Sequence, residues 1–111
     1  MKSITKELMG ASAIPIILSV LKQRDSYGYE IVQMVKDVTE GGINWKEASI
    51  YPVLKKLESN KMIKSYWKVQ AGERPRRYYS ILPEGQKQLE KNQHEWDLIH
   101  RVFDLLGGAT S

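Results

Sequence analysis

The amino-acid sequence predicts a mainly α-helical fold that carries one β-hairpin. Apolar residues recur at helical spacing in four segments, and two short segments rich in aromatic and β-branched residues flank a turn with Gly72 and Pro75. Residues 44–79 contain nine Lys or Arg and three Asp or Glu, whereas residues 1–43 balance to zero and residues 80–111 sum to −2. A helix beside a basic hairpin suits duplex DNA, because the helix can enter a groove while Lys and Arg neutralise phosphates on either side.

Composition limits the class of protein. With 111 residues the chain has room for one domain with a modest core, and a partner subunit often completes such small domains. The chain contains no cysteine, which excludes disulfides and thiolate metal sites and fits a reducing cytosol. Residues 8–21 carry no charge, but this run is shorter than the about 20 apolar residues that span a bilayer. We therefore expect a soluble, cytoplasmic protein without a membrane segment.

Two helices are predicted in the N-terminal part of the chain. Apolar residues in the range 5–22 cover most of a helix's circumference, which is typical of a helix buried on two sides. Pro15 interrupts this range, so the helix either kinks there or begins its regular part near that residue. Ser26 is a suitable N-cap for a second helix over residues 27–39, which the Gly41-Gly42 pair would end.

A third helix opens at Asn44 or at the nearby Lys46-Glu47 turn. Pro52 falls in its first turns, where a missing N–H is tolerated. The side predicted to be buried is apolar and consists of Val53, Leu54 and Leu57. The side predicted to face outward consists of Ser49, Tyr51, Lys55 and Lys56.

The hairpin follows this helix. Residues 62–69 and 77–82 are the two predicted strands, and the basic turn over residues 71–77 joins them. Three helices and a hairpin in this order make a winged helix-turn-helix. A competing interpretation is an unrelated α+β domain with a solvated, charged hairpin.

The last predicted helix begins at Pro83 and carries two seven-residue series. Leu89, Trp96 and Phe103 form the first, and Asn92, Ile99 and Leu106 form the second, three places on. Together they make an a/d seam of the coiled-coil type, with packing onto the chain's own core as the alternative. We expect residues 1–82 to form the winged helix-turn-helix and residues 83–111 to form a long C-terminal dimerisation helix. The residues predicted at the dimer interface are Leu8, Leu89, Trp96, Ile99, Phe103 and Leu106.

Three motifs stand in order along the chain: Tyr27-Gly28-Tyr29-Glu30-Ile31, then residues 48–58 with Ser49-Ile50-Tyr51-Pro52, then Arg76-Arg77-Tyr78-Tyr79 with Gly85 beyond. In this order and spacing they closely resemble the PadR-like transcriptional regulators, over residues 15–106. The single long last helix is similar to that of the family's small subgroup. The resemblance implies a dimeric winged-helix repressor. Three positions depart from the family pattern: Ala48 and Lys61 replace common glycines, and Leu82 replaces a capping Thr.

The resemblance also implies which residues contact DNA. Ser49, Tyr51 and Lys55 would lie on the side of the third helix that faces the DNA groove. Tyr27 and Lys46 would contact the sugar-phosphate backbone on either side of that groove. At the wing, Arg74 and Arg76 would reach phosphates or a narrow minor groove, and Arg77 is a further candidate. The alternatives are a solvated turn for the arginines and core packing for Tyr51.

Trp96 is the second functional candidate. In resembling small regulators that bind drugs, a Trp at this place stacks on flat aromatic ligands between two subunits, so the resemblance implies a planar aromatic ligand at Trp96, Asn92 and Ile99. The alternative for Trp96 is simple core packing. His94 and His100 are six residues apart and lie on different faces of a helix, which favours neither a metal site nor an enzyme. No cofactor is expected.

The sequence therefore predicts a homodimeric repressor that binds double-stranded DNA at a pseudo-palindromic operator. Release by a small aromatic ligand at the dimer interface is a further expectation. Two alternatives remain open at this point. One is a winged-helix module that binds another protein, and the other is a ligand-sequestering dimer that does not bind an operator.

Overall fold

The computed structural model describes residues 5–107. The first four residues of the predicted winged helix-turn-helix segment (1–4) and the last four of the predicted dimerisation helix (108–111) lie outside the described residues. The elements are α1 (Lys6–Gln23), β1 (Ser26–Tyr27), α2 (Gly28–Val38), α3 (Glu47–Ser59), β2 (Ile63–Lys68), β3 (Arg76–Ile81) and α4 (Pro83–Leu106). This is a winged helix-turn-helix with a long C-terminal helix, and it confirms the predicted fold class. No helix in the described part of the chain is long and apolar enough to cross a membrane.

Helix α1 begins well before Pro15. Its N-cap is Thr5, whose hydroxyl accepts a hydrogen bond from the Leu8 N–H at 3.3 Å. Pro15 lies inside the helix, so the alternative in which the regular helix begins near that residue is excluded. The helix packs against α2, α3, β3 and α4, which explains why apolar residues surround most of its circumference.

A third strand, which the sequence analysis missed, precedes α2. Ser26 and Tyr27 pair antiparallel with Tyr79 and Tyr78 of β3, and the sheet has the order β1-β3-β2. Because the backbone stays extended through Tyr27, that residue is the N-cap of α2, and the prediction that Ser26 caps the helix is wrong. The Ser26 side chain is fully buried, and its hydroxyl donates to the carbonyl of Arg24 at 3.2 Å.

The strands β2 and β3 and the turn between them form the wing. Their register runs from Ile63 opposite Ile81 to Lys68 opposite Arg76. Since successive side chains in a strand point to opposite faces, the wing has two different faces. One face contacts α3 and contains Ser65, Trp67, Arg77 and Tyr79. The other, outer face contains Tyr66, Lys68, Arg76 and Tyr78.

The core lies between the helices and the sheet. Its fully buried apolar side chains are Ile17, Leu18, Leu21, Ile31, Leu54, Leu57, Ile63 and Leu89. Every helix contributes to this set, including α4 through Leu89. The first half of α4 therefore belongs to the core of this chain, and its second half extends past that core.

Two departures from the family pattern are visible in the backbone. Lys61, directly after the C-cap of α3, has a φ of 59°, so this lysine occupies the left-handed position that a glycine would fill in the family pattern. A non-glycine residue in this conformation costs about 1 kcal/mol. At the start of α4, Leu82 is the N-cap without a side-chain hydrogen bond, and Pro83 occupies the first turn, where its missing N–H is tolerated.

Candidate nucleic-acid interface

A cleft of about 630 Å³ separates the N-terminal end of α3 from the wing. Five of the residues predicted to contact DNA line this cleft: Tyr27, Tyr51, Arg74, Arg76 and Arg77. The remaining three, Lys46, Ser49 and Lys55, are exposed on α3 or at its N-cap. The structure thus places the eight predicted residues on or beside one basic surface.

The exposed side of α3 follows from the packing of its other side. Ile50, Leu54 and Leu57 are buried in the core, which leaves Ser49 and Lys55 on the solvent side of the helix. Nothing in the described chain covers this side, and the wing stands next to it. An α-helix exposed in this way fits the width of the DNA major groove.

Tyr51 is held in place by two neighbours. Its hydroxyl donates a hydrogen bond to Glu47 Oε2 at 2.6 Å, one helical turn earlier. This bond is the main cause that raises the pKa of Tyr51 to about 12, because the hydrogen bond to the carboxylate stabilises the protonated hydroxyl. The ring rests on Gly28, where an added Cβ would lie 2.7 Å from the Tyr51 hydroxyl oxygen. Tyr51 is 43 % exposed, which is more than core packing alone would leave.

A column of aromatic rings and cations covers the outer face of the wing. The Arg76 guanidinium lies 4.5 Å from the centroid of the Tyr27 ring, and the Tyr27 ring meets Tyr78 edge-on at 5.3 Å. Tyr78 stacks on Tyr66 at 5.9 Å, and Lys68 Nζ lies 5.0 Å from the Tyr78 centroid. Such contacts stabilise a cation by about 0.5–1 kcal/mol each at exposed sites. Tyr27 therefore favours the direction in which the Arg76 side chain points.

Arg77 has a different environment from the other two wing arginines. Its Nη2 lies 3.3 Å from Glu58 Oε1 and donates to Ser65 Oγ at 2.8 Å. The Ser65 hydroxyl in turn donates to Glu58 Oε2 at 2.6 Å. This network ties the wing to α3, so a DNA contact by Arg77 would compete with the ion pair. Arg74, by contrast, is exposed at the wing tip.

Sequence reasoning missed three features of this surface: the carboxylate of Glu47 in the cleft, the aromatic column, and the Glu58 network. The Glu47 carboxylate could have been found, because Glu47 and Tyr51 are four residues apart and therefore neighbours on one side of a helix. The other two join residues far apart in sequence, and local spacing does not reveal them.

A second groove of about 400 Å³ lies between α1 and α4, and Leu8, Pro15, Ile16 and Trp96 are among its lining residues. Leu8, Trp96, Ile99, Phe103 and Leu106 are exposed, as an interface would require. The prediction that Leu89 also lies at the dimer interface is wrong. Its side chain is 1 % exposed because it packs in the core of its own chain, which leaves no surface for a partner.

Asn92 and Ile99 do not line this groove, although both were predicted to contact a ligand with Trp96. The Asn92 side chain accepts from Gln88 Nε2 at 3.2 Å and donates to Glu95 Oε1 at 3.2 Å. Both bonds lie along α4. Of the three residues predicted to contact a ligand, Trp96 alone lines the groove of the single chain.

A recognition helix, a basic wing and a cleft between them define a DNA-binding protein of the winged helix-turn-helix class. The sequence profile described as "Transcriptional regulator PadR-like family" matches residues 17–91. The chain belongs to the PadR-like family of transcriptional regulators, which bind DNA, typically as dimers, and are not enzymes.

Similarity to two solved structures and to one further regulator supports this assignment. The chain is 36 % identical to a transcriptional regulator from Clostridium thermocellum, with a TM-score of 0.82 over 91 % of this chain and 95 % of that one. It is also 36 % identical to a PadR family transcription regulator from Clostridium difficile R20291, with a TM-score of 0.73 over 86 % of this chain and 97 % of that one. Transcriptional regulator YqjI of Escherichia coli is 26 % identical over 84 residues, which are 76 % of this chain and 39 % of that protein.

Proposed function

We propose that this DNA-binding regulator is a homodimeric repressor that reads the two half-sites of a pseudo-palindromic operator. The observation that carries the proposal is the cleft in which Tyr51 of α3 faces Arg74 and Arg76 of the wing. With α3 in the major groove, Ser49 and Lys55 face base edges, and Lys46 lies at the flanking backbone. Arg74 and Arg76 then reach phosphates or an adjacent narrow minor groove.

The exposed half of α4 supports the dimer. Ile99, Phe103 and Leu106 continue the a/d spacing beyond the core of one chain, and Val102 and Leu105 add further exposed apolar surface. A second copy of the same helix would bury this surface in a two-fold interface. Two recognition helices related by that axis are expected to bind half-sites about 34 Å apart, one turn of B-DNA, as dimers of the helix-turn-helix class do.

The test of this proposal is a binding titration by fluorescence anisotropy. A labelled duplex from upstream of the protein's own gene is compared with random DNA of equal length across a salt series. We expect much tighter binding to the upstream duplex than to random DNA. A reporter gene placed downstream of that duplex should be expressed less when the protein is present. Equal, steeply salt-dependent binding to both duplexes would contradict sequence reading at that site, and increased reporter expression would contradict repression.

The double substitution Arg74→Ala with Arg76→Ala is expected to weaken binding to all duplexes. Because both arginines are lost from both protomers, the slope of log K against log salt should decrease by roughly 3 to 4, at about 0.9 per phosphate contact. The matched control is Lys87→Ala with Arg101→Ala, which removes the same charge from the exposed side of α4 opposite the seam. An unchanged slope in the wing variant would count against the wing contact.

A planar aromatic ligand at the dimer interface is a second, finer proposal, and the groove beside Trp96 supports it. Such a ligand releases the operator only if it prefers a dimer whose wings are wrongly spaced for DNA, since it shifts an equilibrium only by its differential affinity for the two states.

Planar aromatic compounds are therefore expected to quench tryptophan fluorescence and to weaken operator binding. Trp96→Phe should abolish the quenching, and the control Trp67→Phe on the wing should retain it. Equal quenching in the Trp96→Phe variant would rule out this site.

A further inference from the structure

Glu47 stands out on the basic surface because of its charge. Among the described residues that line the cleft, it is the only acidic one, and it shares the cleft with Arg74, Arg76 and Arg77. A carboxylate that faces a phosphate-binding surface lowers affinity for any DNA through like-charge repulsion. A glutamate in the first turn of a helix also suits the helix dipole, so the position has one structural advantage.

The side chain of Glu47 is held in a defined position. Its Oε2 accepts the hydrogen bond from the Tyr51 hydroxyl at 2.6 Å, and the Tyr51 ring rests on Gly28 at the start of α2. Within residues 5–107, Oε1 accepts no hydrogen bond. The arrangement therefore fixes the carboxylate and leaves one of its oxygens available to a partner outside the chain.

The location of Glu47 gives that oxygen access to base edges. In helix-turn-helix proteins, the N-terminal residues of the recognition helix contact bases in the major groove. Glu47 is the first residue of α3, and it is exposed. In the major groove a carboxylate can only accept, and the established partner for Glu is the exocyclic amino group of cytosine. Guanine presents two acceptors there and would repel it.

We propose that Glu47 is a specificity-determining residue that accepts a hydrogen bond from a cytosine amino group in each half-site, and that Tyr51 positions its carboxylate. This inference rests on the proposed operator reading. Glu47 then has two opposite effects: it weakens binding to DNA in general and strengthens discrimination at one base pair. Tyr51 acts through Glu47, in place of the direct phosphate or base contact predicted from the sequence.

The experiment selects duplexes from a randomised pool with the wild-type chain and with Glu47→Gln, Tyr51→Phe and the control Glu90→Gln. The wild type is expected to enrich a cytosine at one position of each half-site. Glu47→Gln should lose roughly 10-fold discrimination at that position, retain the other preferences and bind random DNA more tightly. Tyr51→Phe should retain the cytosine preference but in weaker form, because Glu47 loses its fixed position. Glu90→Gln, which removes an exposed carboxylate from α4, should change neither quantity.

The possible failures are distinguishable. If the wild type enriches a sequence and Glu47→Gln enriches the same one with equal discrimination, the role of Glu47 is overturned and operator reading stands. If Tyr51→Phe weakens all duplexes equally with an unchanged base preference profile, Tyr51 contacts the backbone itself and its positioning role is overturned. A wild-type chain that enriches no sequence overturns both proposals. Thermal unfolding of each variant checks that an exposed substitution has left the fold intact.

Discussion

Replacing Phe103 with glutamate is expected to convert the proposed dimer into monomers and to lower operator affinity by roughly 10²–10⁴-fold, the usual gain from linking two binding modules. Phe103 is 63 % exposed in the single chain, so the substitution removes no core contact. In a two-fold interface, however, the a/d seam places the side chain against the partner helix, and two carboxylates would be buried there without a counter-ion. The fold of each protomer should persist while assembly is lost.

Sedimentation velocity measures the change in mass, and anisotropy on the operator duplex measures the change in affinity. His94→Glu is the matched control, because it introduces the same residue on the exposed side of α4 opposite the seam. The control should remain a dimer with wild-type affinity. A dimeric Phe103→Glu variant with unchanged DNA binding would show that the C-terminal half of α4 does not form the interface.

Gly85→Ala is expected to destabilise the fold by about 2–4 kcal/mol, in the upper part of the range for single substitutions. Gly85 is buried in the first turn of α4, and a Cβ there would collide with the carbonyl oxygen of Met62. That carbonyl cannot move freely, because it accepts the Leu82 N–H at 2.9 Å. The Ile81 Cγ1 atom would lie 2.9 Å from the same Cβ, so the start of α4 would have to shift away from the sheet.

Chemical denaturation at one fixed protein concentration measures this loss, since the stability of the proposed dimer would depend on concentration. Gly10→Ala is the control: Gly10 lies inside α1, and apart from its chain neighbours and the backbone of its own helix, no described heavy atom lies within 4 Å of the added Cβ. Because alanine favours a helix over glycine by about 1 kcal/mol, the control should be neutral or stabilising. Equal stability of Gly85→Ala and the wild type would show that the first turn of α4 is not packed tightly against the Met62 carbonyl.

The helices and the wing were predictable because each has a local pattern. Apolar periodicity locates α1, α2 and α3, and the aromatic strands around a Gly/Pro turn locate the wing. Strand β1 was not predictable in the same way. Its two residues, Ser26 and Tyr27, are extended only because they pair with β3, more than fifty residues later. The N-cap assigned to Ser26 failed for the same reason.

The seam on α4 shows a second limit of periodicity. Leu89 and Phe103 occupy equivalent places in the seven-residue series, yet Leu89 is buried in its own chain and Phe103 is exposed. Spacing defines the apolar side of a helix, but it does not show whether α1 or a second subunit covers that side. The candidate site has the same limit: positive charge predicted its location, whereas the partners of Arg77 and Glu47 depend on the tertiary fold.

Reading of DNA by a dimer is best examined with two duplexes: one that carries both selected half-sites, and one in which a single half-site is scrambled at equal length and composition. Anisotropy titrations on both, combined with the mass of the complexes, give affinity and stoichiometry together. We expect two protomers on the intact duplex and at least a 100-fold weaker specific affinity for the scrambled one, about the lower end of the gain from two linked sites. Equal affinity for the two duplexes, or one protomer on the intact duplex, would contradict a symmetric operator-reading dimer.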